Sequence, residues 1–65
     1  MNQDAFEGKW RELRGKARSW WGRLTDDDVQ QVAGKKDELV GRLQAKYGYS
    51  KDEAEQEIDR HMNAA

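Results

Sequence analysis

The sequence predicts an all-α fold, a small bundle of two packed αα-hairpins, and three observations carry that prediction. Proline is absent from the 65 residues, and Ala, Glu, Gln, Lys, Arg and Leu dominate, a composition that favours helix. Apolar residues recur in steps of three and four, the period of a helix that buries one face. The chain also repeats itself. Gly8–Asp27 laid over Gly34–Glu53 gives seven identities in twenty positions: Gly8/Gly34, Lys9/Lys35, Glu12/Glu38, Leu13/Leu39, Gly15/Gly41, Gly22/Gly48 and Asp26/Asp52. Ordinary residue frequencies would give about one or two. Each half reads as a long helix, a glycine turn and a capped second helix. Two such hairpins bury together what neither buries alone. Residues 1–65 are expected to form a single domain.

In the first helix, apolar residues fall at 6, 10, 13, 17, 20/21 and 24. The spacing predicts a helix over about 4–21, with Asn2 or Asp4 as N-cap and Gly22 ending it in the left-handed conformation. Thr25 with Asp28 forms a capping box, and three carboxylates in one first turn suit the positive helix end. That predicts a short helix over about 26–33, burying Val29, Val32 and Ala33 and closed by Gly34. The third helix spans about 35–47, with Leu39, Val40, Leu43 and Tyr47 inward and Gly48 closing it. Ser50 and Glu53 form a full capping box for the fourth. That helix runs to about His61, with Ala54, Ile58 and Met62 on one stripe and residues 63–65 fraying. Phe6, Trp10, Leu13, Ala17, Trp20, Trp21 and Leu24 complete the candidate core.

Charged residues make up 38% of the chain and hydrophobic ones 35%, with a formal net charge of -1. So polar and short a chain has little interior for an enzyme's pocket, and no catalytic residues and no cofactor are expected. Cysteine is absent and histidine single, which excludes disulfides, thiolate chemistry and the usual zinc sets. No apolar run approaches the roughly 20 residues of a membrane span, and no signal-peptide core follows Met1. A cytoplasmic protein is expected.

The charge is unevenly spread: residues 1–24 carry net +3 and residues 25–65 net -4. On the first helix Arg11 and Arg18 share a ridge with Arg14 beside it. Lys9, Lys16 and Arg23 share another, with Gly15 between. These six form a candidate anion-contact face for nucleic acid or an anionic surface, set against the plain alternative of a solvated face paired with acidic neighbours. Asp26, Asp27 and Asp28 lack the later glycine and glutamate of a calcium loop and are read as caps. His61 is expected to be solvated, or a favourable charge at the negative helix end. At least two of the three Trp belong to the core, Trp10 and Trp20 among them, with one of Trp20 and Trp21 at its rim. The glycines recur every seven residues opposite the apolar stripe. Three readings stand for them: tolerance of bundle geometry, a bare outer face for a partner, or conditional folding of the hydrophilin kind.

The segments GKWRELRGKARSWWGRLTDDD (8–28) and GKKDELVGRLQAKYGYSKDEAE (34–55) resemble the CsbD-like family of small bacterial stress-response proteins, most of all its YjbJ-type members. The resemblance implies a SAM-domain-like helical bundle, expression in general stress responses and no established molecular activity. The expected function is therefore a non-enzymatic stress-response protein with a protective role, monomeric or weakly self-associating. The alternative is a small binding module that uses the basic face of the first helix.

Overall fold

A computed structural model describes residues 2–64. Four helices follow in order: α1 Gln3–Trp20, α2 Asp26–Val32, α3 Lys36–Tyr47 and α4 Lys51–Ala64. Among the described residues there is no strand. α2 packs on α1 and α3, α3 packs on α4, and α1 reaches both α3 and α4. The predicted all-α bundle is present.

Local chemistry sets the helix starts. The Asn2 side chain accepts the Ala5 N–H at 2.7 Å, so of the two candidate caps Asn2 is the one used. At α2, Thr25 Oγ1 accepts the Asp28 N–H at 3.1 Å while Asp28 accepts the Thr25 N–H at 3.0 Å. Ser50 and Glu53 make the same reciprocal pair at 3.1 and 2.9 Å. Ser50→Ala is expected to destabilise by about 0.5–2 kcal/mol, because an N-terminal N–H loses its acceptor. Ser50→Asp, which caps equally well, should be close to neutral. Thermal melts of the two variants check the assignment, and a Ser50→Ala melt at the wild-type temperature would refute it.

The helix ends depart from expectation in three places. α1 stops one residue before its predicted end. Trp21 leaves the helix at φ -126°, ψ 82°, its N–H still donating to the Ala17 carbonyl at 2.8 Å. Gly22 therefore needs no left-handed conformation and has none; among the described residues positive φ occurs at Ala33, Gly34 and Gly48. Ala33, expected inside, is exposed, because it takes the left-handed C-cap position of α2. α4 continues three residues beyond its expected end, to Ala64; Ala65 lies outside the described residues. Gly48 closes α3 as predicted, with φ 73° and its N–H donating to the Gln44 carbonyl.

The core draws Phe6, Trp10, Leu13 and Ala17 from α1, Trp21 and Leu24 from the turn after it, and Val32 from α2. Leu39, Val40 and Leu43 of α3 and Ala54, Ile58 and Met62 of α4 complete it. Trp20, Val29 and Tyr47, also expected inside, are half-buried at its edge beside Tyr49. Two Trp are core as predicted, but Trp21 replaces Trp20. A residue that has left the helix no longer follows the 100° rotation of its neighbours, and here it turns inward.

Gly34 corrects the expectation that the glycines avoid close packing. It is buried at φ +81°, and a Cβ there would lie 2.9 Å from Cγ of Glu7. Its carbonyl accepts from Gln3 Nε2 at 2.6 Å, and Gln3 Oε1 accepts the Lys36 N–H at 3.2 Å. One side-chain amide thus ties the start of α1 to the α2–α3 turn. Gly8, Gly15 and Gly41 do face open space: a Cβ at any of them would meet nothing within 4 Å. Gly15→Ala and Gly41→Ala are expected to raise stability by up to about 1 kcal/mol each, read as an upward shift of the melting temperature.

Candidate functional site

The six basic residues of the expected anion-contact face do not share one surface. Arg11, Arg14 and Arg18 line an open groove between α1 and α2, with Gly15 and Ser19 beside them and Val29 and Gln30 opposite. Lys9 and Lys16 are roughly half a turn away around α1. Arg23 is engaged elsewhere. Its N–H donates to Tyr47 Oη at 3.1 Å, and its guanidinium donates to the Lys46 carbonyl at 3.2 Å. The same guanidinium sits 5.5 Å from the Tyr47 ring centroid, a cation at the negative end of α3.

The groove is cationic but not purely so. Glu7 and Asp26 also line it. Arg11 lies 3.9 Å from Glu7, with both side chains exposed. Arg18 pairs with Asp26 at 2.7 Å. Among the described residues, Arg14 has no ion pair.

The three consecutive carboxylates of α2 diverge. Asp26 turns to the groove, whereas Asp28 turns inward and is buried. Its Oδ1 accepts from Arg42 at 3.1 Å, and its Oδ2 lies 3.4 Å from Lys46 Nζ. The Asp28 carboxyl is held below its ordinary value. The Thr25 backbone N–H is the largest cause, burial works against it, and the Thr25 side chain and Lys46 add to the lowering. The capping role was legible in the sequence; the burial and the two cations from α3 were not.

His61 is neither freely solvated nor a bare helix-end charge. Its ring stacks on Trp20 with centroids 5.2 Å apart and meets Trp21 edge-on, also at 5.2 Å. Glu57 Oε1 lies 3.6 Å from its Nε2. The cluster joins the end of α1 to α4. Within it Trp21 Nε1 is buried with no hydrogen-bond partner among the described residues, a cost the aromatic packing must offset. Among the described residues, no three His, Cys, Asp or Glu side chains gather at metal-binding range. No helix among them is long and apolar enough to cross a membrane.

A model of the CsbD-like family matches residues 4–56. The UPF0337 protein YjbJ of Escherichia coli is 51% identical over 59 residues, 91% of this chain and 86% of its own length. A UPF0337 protein of Pectobacterium atrosepticum is 52% identical over 58 residues, 89% of this chain and 84% of its own. One of Pseudomonas aeruginosa is 53% identical over 58 residues, 89% of both chains.

Proposed function

We propose that this chain, which belongs to the CsbD-like family, is a non-enzymatic bacterial stress-response protein that acts in the cytoplasm through weak surface contacts. Membership supports the stress setting. The observation that carries the non-catalytic reading is how the buried carboxylate Asp28 and the single histidine His61 are used. Asp28 is 4% exposed, with its oxygens taken up by Thr25, Arg42 and Lys46. A general acid or base must reach a proton on a substrate, and this carboxylate reaches only its own fold. His61 is likewise packed against Trp20 and Trp21.

The test is a deletion strain challenged with osmotic, desiccation, acid and oxidative stress and complemented by this chain. Restored survival is expected under at least one stress. A strain with no defect under any of them would count against a protective role. If marginal stability is itself the working principle, the Gly15→Ala/Gly41→Ala double variant should be more stable yet complement less well. Equal complementation would leave those glycines with a structural role only.

A nucleic-acid or anionic-surface role ranks second. The shared groove of Arg11, Arg14 and Arg18 speaks for it, whereas Arg11 and Arg18 already hold Glu7 and Asp26, and three arginines within about 10 Å offer a long polyanion few phosphate contacts.

A further inference from the structure

Two helices of this chain carry charge ridges of the same geometry and opposite sign. Arg11, Arg14 and Arg18 on α1 stand at i, i+3 and i+7, and so do Asp52, Glu55 and Asp59 on α4. At 100° and 1.5 Å per residue, each set lies within about 60° of rotation and spans about 10 Å along its helix. Both are open to contact. Arg14 and Asp52 are exposed and Glu55 is half-buried; the Arg11, Arg18 and Asp59 side chains are 77%, 53% and 45% exposed.

The two ridges cannot meet within one copy. The arginines face the α1–α2 groove. On α4, His61 marks the side that packs on α1, while Asp59 points the other way, to Lys36 at the start of α3. We propose that copies of this chain associate head to tail, the arginine ridge of α1 in one copy taking the carboxylate ridge of α4 in the next.

Laid side by side in the same direction, the helices bring Arg11 to Asp52, Arg14 to Glu55 and Arg18 to Asp59. The groove admits a helix closely, since Gly15 leaves open space where a side chain would stand and Ser19 and Ala33 flank it. The internal pairs Arg11–Glu7 and Arg18–Asp26 involve exposed side chains, and such pairs exchange at little cost. Asp59, whose side chain is 45% exposed, keeps the largely buried Lys36 and takes the arginine as a second cation. Because the two surfaces differ, the contact is heterologous, and each copy keeps a free ridge for the next. Copies therefore add head to tail beyond a pair, as an open chain or a ring according to the rotation per copy. One helix face in one groove is a small interface, below the roughly 1,200 Å² of stable complexes. The association is therefore weak and sensitive to salt. This proposal goes beyond the stress-response reading and does not depend on it.

The test is sedimentation velocity of the full chain over a concentration series at low and high salt. At low salt the mean mass should at least double across the series and pass beyond the dimer; molar salt should return it to monomer. Arg14→Glu and Glu55→Arg should each remain monomeric with unchanged helical far-ultraviolet signal, since both exchange one good helix former for another, at an exposed position for Arg14 and a half-buried one for Glu55. The double variant should associate again, because the central pair is restored with its signs exchanged. Four results would overturn the proposal: a monomer at every concentration at low salt, growth that stops at a dimer, single variants that associate like the parent, or a double variant that stays monomeric. A fifth would reassign the groove to polyanions: Arg14→Glu losing affinity for a single-stranded RNA oligonucleotide while self-association is untouched.

Discussion

Leu43→Ala is expected to lower stability by about 2–5 kcal/mol, and Leu39→Ala by a similar amount. Both leucines are fully buried, on the face of α3 that meets the rest of the core. α3 packs on α1, α2 and α4, and each truncation leaves a void in their shared core that a bundle of four short helices cannot easily close. A domain of about 60 residues buries only about 60% of the surface its unfolded chain exposes, so its total stability sits near the low end of the ordinary range of about 5–15 kcal/mol. A loss at the upper end of this range unfolds a large share of the molecules at growth temperature. Thermal melts followed by far-ultraviolet circular dichroism and by Trp fluorescence give the measurement, because Trp10 and Trp21 report on the same core. Gln31→Ala, at an exposed position of α2, is the control and should change stability by less than about 0.5 kcal/mol. Wild-type melting in both leucine variants would mean that α3 is not the centre of the core.

The parts of this fold that were legible in the sequence are those set by neighbours a few residues apart. The spacing of Phe6, Trp10, Leu13 and Ala17 fixes one face of α1 because helical rotation is local. Thr25/Asp28 and Ser50/Glu53 fix two helix starts because a capping box is closed within four residues. Gly48 fixes the end of α3 because the left-handed conformation disfavours a Cβ. The YjbJ-type resemblance held for the same reason, since its cues are short blocks of contiguous residues.

What the sequence hid depends on contacts across the bundle. Whether Trp20 or Trp21 turns inward is decided by where α1 stops, and a one-residue shift in that boundary exchanges their roles. Gly34 looks like another outward-facing glycine until Glu7, far away in the chain, is packed against it. Gln3 carries no local signal for its bonds to Gly34 and Lys36. His61 meets Trp20 only when α4 lies along α1. The candidate site shows the same division. The arginine ridge was visible as a helical spacing, but its confinement to the groove, and the departure of Arg23 to the end of α3, follow from tertiary packing.

Asp28 is the sharpest case, and it dictates how the fold should answer to acid. Its carboxylate is stabilised in the folded chain by the Thr25 N–H and by Lys46 against the opposing cost of burial, so its folded pKa lies below the ordinary 3.8. A depressed carboxyl pKa contributes stability that is fully present above the unfolded value and is lost as pH falls through the folded one. The melting temperature should therefore hold from neutral pH down to about pH 5 as far as this group is concerned, then fall steadily below about pH 4. Asp28→Ala removes one half of the capping box, the acceptor of the Thr25 N–H, together with the anion, leaving Arg42 and Lys46 without their buried partner. Breaking a buried ion pair costs about 3–5 kcal/mol. The low end, about 3 kcal/mol, applies here because the Arg42 and Lys46 side chains are 33% and 38% exposed and can turn to water. Asp28→Asn keeps an oxygen for the Thr25 N–H and should lose less, about 1–2 kcal/mol, in keeping with a hydrogen bond to a charged group made neutral. Both variants should show a shallower decline below pH 4 than the parent, because the titrating group is gone. Melts of the three proteins between pH 7 and pH 2 decide the matter: parallel acid limbs would show that Asp28 does not govern the acid response, and unchanged stability at neutral pH would show that its contacts with α3 are not holding α2 in place.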